Sequence, residues 1–267
     1  MDFTDADVAI AAAQAGADVV VRTYGESHRR FAKSATDFAT QTDLDAEAAI
    51  IEILDKCRPG DARTGEEFGS SGDEQARRRW LVDPLCGTLN FAASTPLVVV
   101  NVALVDGNTP LAAAAADPIA QELFWTDGGH TYCRRGEDDE LVSPTSHSGL
   151  VDINCDGPLD QPFVGGQLVS DPLLRKAYGP RVISSTLSVA WVAAGRRAAY
   201  VSDGRFRDNV HFAAGIALCM AAGCVVSDLD GNPLHTGRGL ITSADQATHD
   251  AMIALVDPHL RAVRSSA

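Results

Sequence analysis

The feature that most restricts the fold is the stretch from Trp80 to Trp125. It holds three short apolar runs, "WLVD", "LVVVNVALVDG" and "LAAAAADPIAQELFWT", punctuated by Gly, Asn and Pro. Runs of this kind between turn formers read as strands, so the chain must bury a sheet. Other segments have helical character. Thr4 can cap a helix through "ADVAIAAAQAGADVVVRTYGE" to about Gly25. Thr42, with Asp45 three residues later, reads as a capping box that opens the helix "DLDAEAAIIEILDKC". Ile50, Ile51 and Leu54 point inward, and Arg58-Pro59-Gly60 stops it. The intervening "SHRRFAKSATDFATQTD" reads as a loop or hairpin carrying Lys33, which balances charge.

The segment "LVSPTSHSG", 141–149, is the best internal boundary, giving sub-domains 1–145 and 146–267. In the second, strands near "LVDINC" and "RVIS" alternate with helices at "STLSVAWVAAGRR" and "VHFAAGIALCMAAG". Ser243 with Gln246 reads as the cap of a last helix, "ADQATHDAMIALV".

A length of 267 residues allows a substantial core, and a formal net charge of −14 argues against nucleic acid as a partner. An acidic protein that handles a phosphorylated small molecule needs metal ions between the two negative partners. No apolar run reaches the roughly 20 residues of a spanning helix, and "MDFTDADVAI" has no positively charged leader. We therefore expect no membrane association. Six cysteines without a CxxC pair point to a reduced cytoplasm. Cys219 and Cys224 read as core, Cys57, Cys133 and Cys155 show no partner pattern, and His28, His130, His147, His235, His249 and His259 read as exposed.

Chemistry concentrates around "WLVDPLCGTLNF", 80–91. Glu66, in "TGEEFG", and Asp83, at a strand end, are loop-borne carboxylates beside glycines, suited to a hard cation such as Mg²⁺. The Leu85 carbonyl can add an oxygen, and the backbone N–H groups of Gly87 and Thr88 can hold a phosphate. Asp43 lies at a helix start.

In order along the chain, "KSATDFATQTDLDAE", "GEE", "WLVDPLCGTLNF" and "FAAGIALCMAAGCVVSDLDG" resemble the motifs of the inositol monophosphatase family, with "ADPIAQELFWT" and "GLITSA" fitting as well. The resemblance implies an α+β fold, a layered α/β/α/β/α sandwich, usually in a homodimer, that hydrolyses phosphomonoesters with Mg²⁺. It implies a first metal on Glu66, Asp83 and the Leu85 carbonyl, and an attacking water held by Thr88 and Asp43.

The implied second metal site departs from the family pattern, because Cys86 stands for an aspartate and "VHFAAG" places His211 where Trp-Asp should end. Three readings follow. Cys86 and His211 are plain packing residues and the second ion is lost. Alternatively, Asp83, Cys86 and His211 form an O, S, N set for Zn²⁺ or Mn²⁺ in place of Mg²⁺. Or Asp208, three positions before His211, reaches the position from the same face of an early-starting helix. The acidic residue that meets sugar hydroxyls in some relatives falls at Ser202 or Asp203. The resulting expectation is a hydrolase of a small phosphomonoester with altered second-metal chemistry. The alternative is a catalytically silent or repurposed member that binds a phosphorylated small molecule.

Overall fold

The computed structural model describes residues 3–26, 29–34, 38–73, 75–157 and 163–266. The chain divides into two compact units. One holds Met1–Leu141, Ser185–Leu187 and Asp208–Ala221, the other Val142–Ser184, Ser188–Arg207 and Ala222–Ala267. The first break falls at the start of the 141–149 segment. The second unit, however, is interrupted twice, where a single cut at 145 was expected.

The first unit begins with α1 (Asp5–Thr23), capped as expected by Thr4, whose Oγ1 accepts the Asp7 N–H at 3.1 Å. The hairpin reading of the next segment holds for β1 (Arg30–Ala32) and β2 (Phe38–Thr40), which pair antiparallel. His28 lies outside the described residues. α2 (Gln41–Cys57) starts earlier than expected. Its box is Thr40 with Asp43, not Thr42 with Asp45: Asp43 Oδ2 accepts the Thr40 N–H at 2.7 Å and the Thr40 hydroxyl at 2.6 Å. Both Thr-x-x-Asp spacings fit the pattern, and the burial of Thr42 together with Asp43 selects the earlier one.

β3 (Ala62–Gly65), β4 (Gly69–Ser71), β5 (Arg78–Cys86), the short α3 (Thr88–Ala92), β6 (Val99–Asp106), β7 (Thr109–Asp117), β8 (Glu122–Thr126), β9 (Thr131–Arg135) and β10 (Asp138–Leu141) follow. The strands form one sheet in the order β10-β9-β8-β7-β6-β5-β3-β4. β6 and β7 are buried on both faces, with Ala112 to Ala116 at most 2% exposed, which is why β7 reads as an unbroken apolar run. One face packs on α1 and α2. The other carries the returning 185–187 and 208–221 segments: Asn101 Nδ2 donates to Thr186 Oγ1 and to the His211 carbonyl, and Thr131 Oγ1 to the Leu218 carbonyl.

In the second unit, β11 (Leu150–Ile153), α4 (Val164–Leu168), α5 (Pro172–Ala177), β12 (Gly179–Val182), α6 (Leu187–Ala193, its first residue in the other unit), β13 (Ala199–Ser202), β14 (Val225–Ser227), β15 (Leu240–Ser243) and α8 (Gln246–Ser266) surround a five-stranded sheet ordered β12-β11-β13-β15-β14. We label Ala213–Ala222, between β13 and β14 in sequence, α7; all but its last residue belongs to the first unit. The side chain that accepts at the start of α8 is Asp245, from the Thr248 N–H at 2.8 Å. The helix also runs ten residues past Val256, through Pro258. Met252, Val256, Leu260 and Val263 are all buried in one cluster, and that packing outweighs the hydrogen bond that proline removes. His249, expected at the surface, is buried, with Nε2 2.8 Å from Ser227 Oγ. Among the described residues, no helix is long and apolar enough to cross a membrane.

Candidate active site

The site lies within the first unit, at the end of β5. β3 runs parallel to β5 with Gly65 opposite Val82, so the next residues, Glu66 and Asp83, emerge side by side. After Asp83 the β5–β6 register shifts, Asp83 facing Asn101 and Cys86 facing Val99. Pro84 has no N–H for the ladder, and a bulge at that point is the ordinary result. Asp83 and Cys86, three apart, would otherwise point to opposite faces. Here their ligand atoms and one from His211 all lie within 4.8 Å of one another.

Asp83 is fully buried. Its Oδ1 accepts the Leu85 N–H at 3.1 Å, and its Oδ2 lies 2.8 Å from His211 Nδ1. Burial opposes its ionisation, but the charge and hydrogen bond of His211 outweigh burial and lower its pKa. Burial likewise works against His211 as a cation. Asp83 reverses this and raises the imidazole to about 9. Burial and then the Asp83 charge push Glu66 up to about 8. Its Oε1 takes Lys33 Nζ at 2.8 Å, and Oε2 is buried with no hydrogen-bond partner among the described residues. Lys33 also reaches Glu67 at 2.5 Å; these two contacts outweigh burial and raise its pKa. Burial raises the Cys86 thiol well above its usual value, while Sγ accepts the Thr186 N–H at 3.4 Å.

Gly87 links β5 to α3 with φ at +99°, and a Cβ there would stand 2.6 Å from the Leu97 carbonyl oxygen, so the turn admits only glycine. It delivers Thr88 to the head of α3, where the first N–H groups lack intrahelical partners. Thr88 Oγ1 lies 3.0 Å from Asp43 Oδ1 and 3.2 Å from the Leu85 carbonyl. Burial pushes Asp43 up to about 6 against the hydrogen bonds from Thr40 and Thr88.

The structure thus brings Asp43, Thr88 and Leu85 together, and Glu66, Asp83, Cys86 and His211 together. It does not bring Asp208 into the Asp83 cluster. Asp208 is exposed in a turn with φ at +51°, and α7 begins only at Ala213, so the early helix that would have aimed it is not formed. Ser202 and Asp203 lie in the second unit. Ser202 is 2% exposed within β13, and Asp203 is ion-paired with Arg238 while accepting the Val164 N–H. A role toward sugar hydroxyls would need an open oxygen, so this arrangement does not support the substrate assignment of either residue.

Glu47, Asn101 and Thr186 were missed by sequence reasoning. Glu47 is fully buried and accepts the N–H groups of Glu67 and Phe68 at 2.7 and 2.9 Å, holding the "GEE" turn. Its one sequence signal is its position four residues after Asp43, on the same helical face. Asn101, inside an apolar strand, carries the returning segments; a lone amide in such a run is that signal.

Residues 3–261 match the family model described as "Inositol monophosphatase family". The chain belongs to the inositol monophosphatase family. An inositol-1-monophosphatase of Caulobacter vibrioides is 30% identical over 249 residues, covering 91% of each chain. The Nus factor SuhB of Pseudomonas aeruginosa is 29% identical over 235 residues, 85% of this chain and 86% of its own. An IMPase of Thermotoga maritima superposes with a TM-score of 0.80 at 20% identity, covering 96% of this chain and 98% of that one. The α+β layered sandwich expected from the motifs is therefore the fold. Membership places the protein among metal-dependent phosphomonoesterases.

The donors of the first metal position fit a hard cation. Glu66, Asp83 and the Leu85 carbonyl offer only oxygens, and a buried carboxylate oxygen without a hydrogen-bond partner is what a bound ion would satisfy. The second position does not fit one, because a thiol and an imidazole stand there.

Proposed function

We propose that the protein hydrolyses a small phosphomonoester, with Asp43 and Thr88 positioning the attacking water beside a hard divalent cation. The observation that carries this reading is the 3.0 Å contact between Thr88 Oγ1 and Asp43 Oδ1. Thr88 has one hydroxyl proton, and an ionised Asp43 accepts it. The threonine oxygen is then left as an acceptor only, so a water that donates to it turns its own lone pair toward the phosphorus. Asp43, raised to about 6, is poised near neutrality to take part in moving that proton.

Glu66, Asp83 and the Leu85 carbonyl would hold the cation. When bound, it supplies charge neutralisation for the phosphoryl oxygens and lowers the pKa of water. Lys33 places a further positive charge beside Glu66. The N–H groups at the head of α3, from Gly87 and Thr88, suit the remaining phosphoryl oxygens.

The test is release of inorganic phosphate from aryl and alkyl phosphomonoesters in Mg²⁺, Mn²⁺ or Zn²⁺. Turnover that disappears in Thr88→Ala and Asp43→Asn supports the reading. No release from any ester in any ion, or release unchanged in both variants, overturns it. A second reading, a member that binds phosphorylated ligands without turnover, is favoured by one observation, the replacement of two acidic ligands by Cys86 and His211. It predicts calorimetric binding of the same esters with no phosphate released.

A further inference from the structure

We propose that Asp83, Cys86 and His211 form a site for a zinc-class divalent cation, in place of a second hard-cation site. The inference rests on the metal-dependent reading of the Asp83 site, but not on turnover.

Three observations carry it. The three ligand atoms already lie within 4.8 Å of one another. Metal–sulfur and metal–nitrogen bonds of about 2.3 and about 2.0 Å set ligand atoms about 3.5 Å apart in a tetrahedron, so the cluster reaches ion-binding spacing by shifts on the order of an ångström, the Asp83–His211 pair opening slightly. Second, the bulge after Asp83 puts Cys86 on the face of Asp83 despite their odd spacing, and the backbone N–H of Thr186 points at the sulfur from 3.4 Å. An N–H donor toward sulfur favours the thiolate that a metal requires and fixes its orientation. Third, His211 is held from behind, its carbonyl accepting from Asn101, while its side chain is 40% exposed. The main chain at His211 is therefore tethered, and the site is open on one edge.

Mg²⁺ asks for oxygen ligands in near-octahedral array and rejects this set. One carboxylate, one thiolate and one imidazole are the borderline mixture that Zn²⁺ or Co²⁺ accepts, with the fourth position left to water or to an oxygen of the phosphate ester. Coordination releases the thiol proton and the proton on the ligating imidazole nitrogen to solvent, so charge balances.

The experiment uses the full chain, stripped with chelator and held in excess Mg²⁺ to fill the all-oxygen position, then titrated with Co²⁺. One equivalent should give a thiolate-to-cobalt charge-transfer band in the near ultraviolet, displaced by Zn²⁺. Cys86→Ser and Cys86→Asp should each abolish the band with circular dichroism unchanged, and His211→Gln should weaken affinity at least on the order of tenfold. In the unaltered protein, Zn²⁺ should shield Cys86 from iodoacetamide, read by peptide mass. This arm needs no variant to fold. No band at saturating Co²⁺, a band that survives both Cys86 variants, or alkylation of Cys86 undiminished by Zn²⁺ overturns the site. None of these readouts involves substrate, so a failure here is distinct from a failure to hydrolyse esters.

Discussion

Asp43 divides its two oxygens between two partners: Oδ2 caps α2 through Thr40, and Oδ1 takes the hydroxyl of Thr88, 45 residues away. One side chain thus fixes both the helix that backs β5 and the threonine at the head of α3. The cost is a fully buried carboxylate, which burial pushes up to about 6.

That shift makes a testable statement about stability. The unfolded chain releases this proton near pH 3.9, and the folded protein keeps it to about 6, so the folded state binds more protons between those values. Stability from this group is fully present below about pH 3.9 and is lost as pH rises through 6. Asp43→Asn removes the titration and keeps one acceptor. In chelator-treated protein, the variant should gain in thermal unfolding relative to the parent on going from pH 4 to pH 8. The gain should be up to about 3 kcal/mol, from two pK units at about 1.36 kcal/mol each. Its phosphate release should fall by about 10² to 10⁴. A stability difference that does not change with pH would show that Asp43 is not a buried titrating group.

Glu47 is the support that a list of family motifs passes over. A Cβ on Gly65 would stand 1.9 Å from Glu47 Oε1, and the same carboxylate holds the N–H groups of Glu67 and Phe68. Glu47→Ala leaves two N–H groups without their acceptor and should cost about 2–6 kcal/mol, at roughly 1–3 kcal/mol for each unpaired group. It should also weaken Mg²⁺ binding, because Glu66 belongs to that turn. Glu47→Gln keeps one acceptor oxygen and should stay within about 1–2 kcal/mol of the parent. Chemical denaturation and Mg²⁺ titration of both variants check this; equal losses in the two would remove the acceptor account.

The fold was legible wherever a pattern had one dominant cause. β6 and β7 announced themselves because both faces are buried, and α1 because its cap and its period agree. The boundaries failed where two local signals competed. Two Thr-x-x-Asp spacings overlap at the head of α2, and Pro258 looks like a stop until the buried stripe from Met252 to Val263 is seen. Glu66, Asp83, Leu85, Thr88 and Asp43 could be picked out as candidates because turns, glycines and a helix start mark them in the sequence, and the structure sets Thr88 beside Asp43 and the Leu85 carbonyl. Asp208 misled because its placement depended on a helix start that only tertiary packing decides. The partners of Asp203 could not be read at all, since Val164 and Arg238 lie 39 and 35 residues away in sequence.

Asp203 provides a separation between support and substrate contact. Its side chain is 3% exposed, and Arg238 holds it with a second bond at 2.9 Å. Arg238→Ala strands that carboxylate and should destabilise the second unit by roughly 2–4 kcal/mol, less than a fully buried pair because the arginine is partly solvated. In protein that remains folded at low temperature, KM for an accepted ester should be unchanged. A raised KM with unaltered stability would return Asp203 to the substrate site.

The last prediction concerns leaving groups. Phosphoryl transfer depends on stabilising charge at the attacking, transferring and leaving oxygens. In the proposed reaction Asp43, Thr88, Glu66 and Asp83 serve the attacking side, and in Mg²⁺ alone the Cys86 and His211 position offers no oxygen set for a second such ion. A deficit of about 4 kcal/mol on the leaving oxygen is roughly a thousandfold in rate. It should fall on alkyl phosphates, whose alkoxide needs stabilising, and spare nitrophenyl phosphate, whose leaving group is already stable. In Mg²⁺ the ratio of nitrophenyl to alkyl kcat/KM should therefore be large in the parent, and it should shrink in the double variant Cys86→Asp, His211→Asp. The expected gain is in alkyl turnover, with nitrophenyl turnover nearly constant. Parallel changes for both esters would mean that the thiol and imidazole do not govern the leaving side.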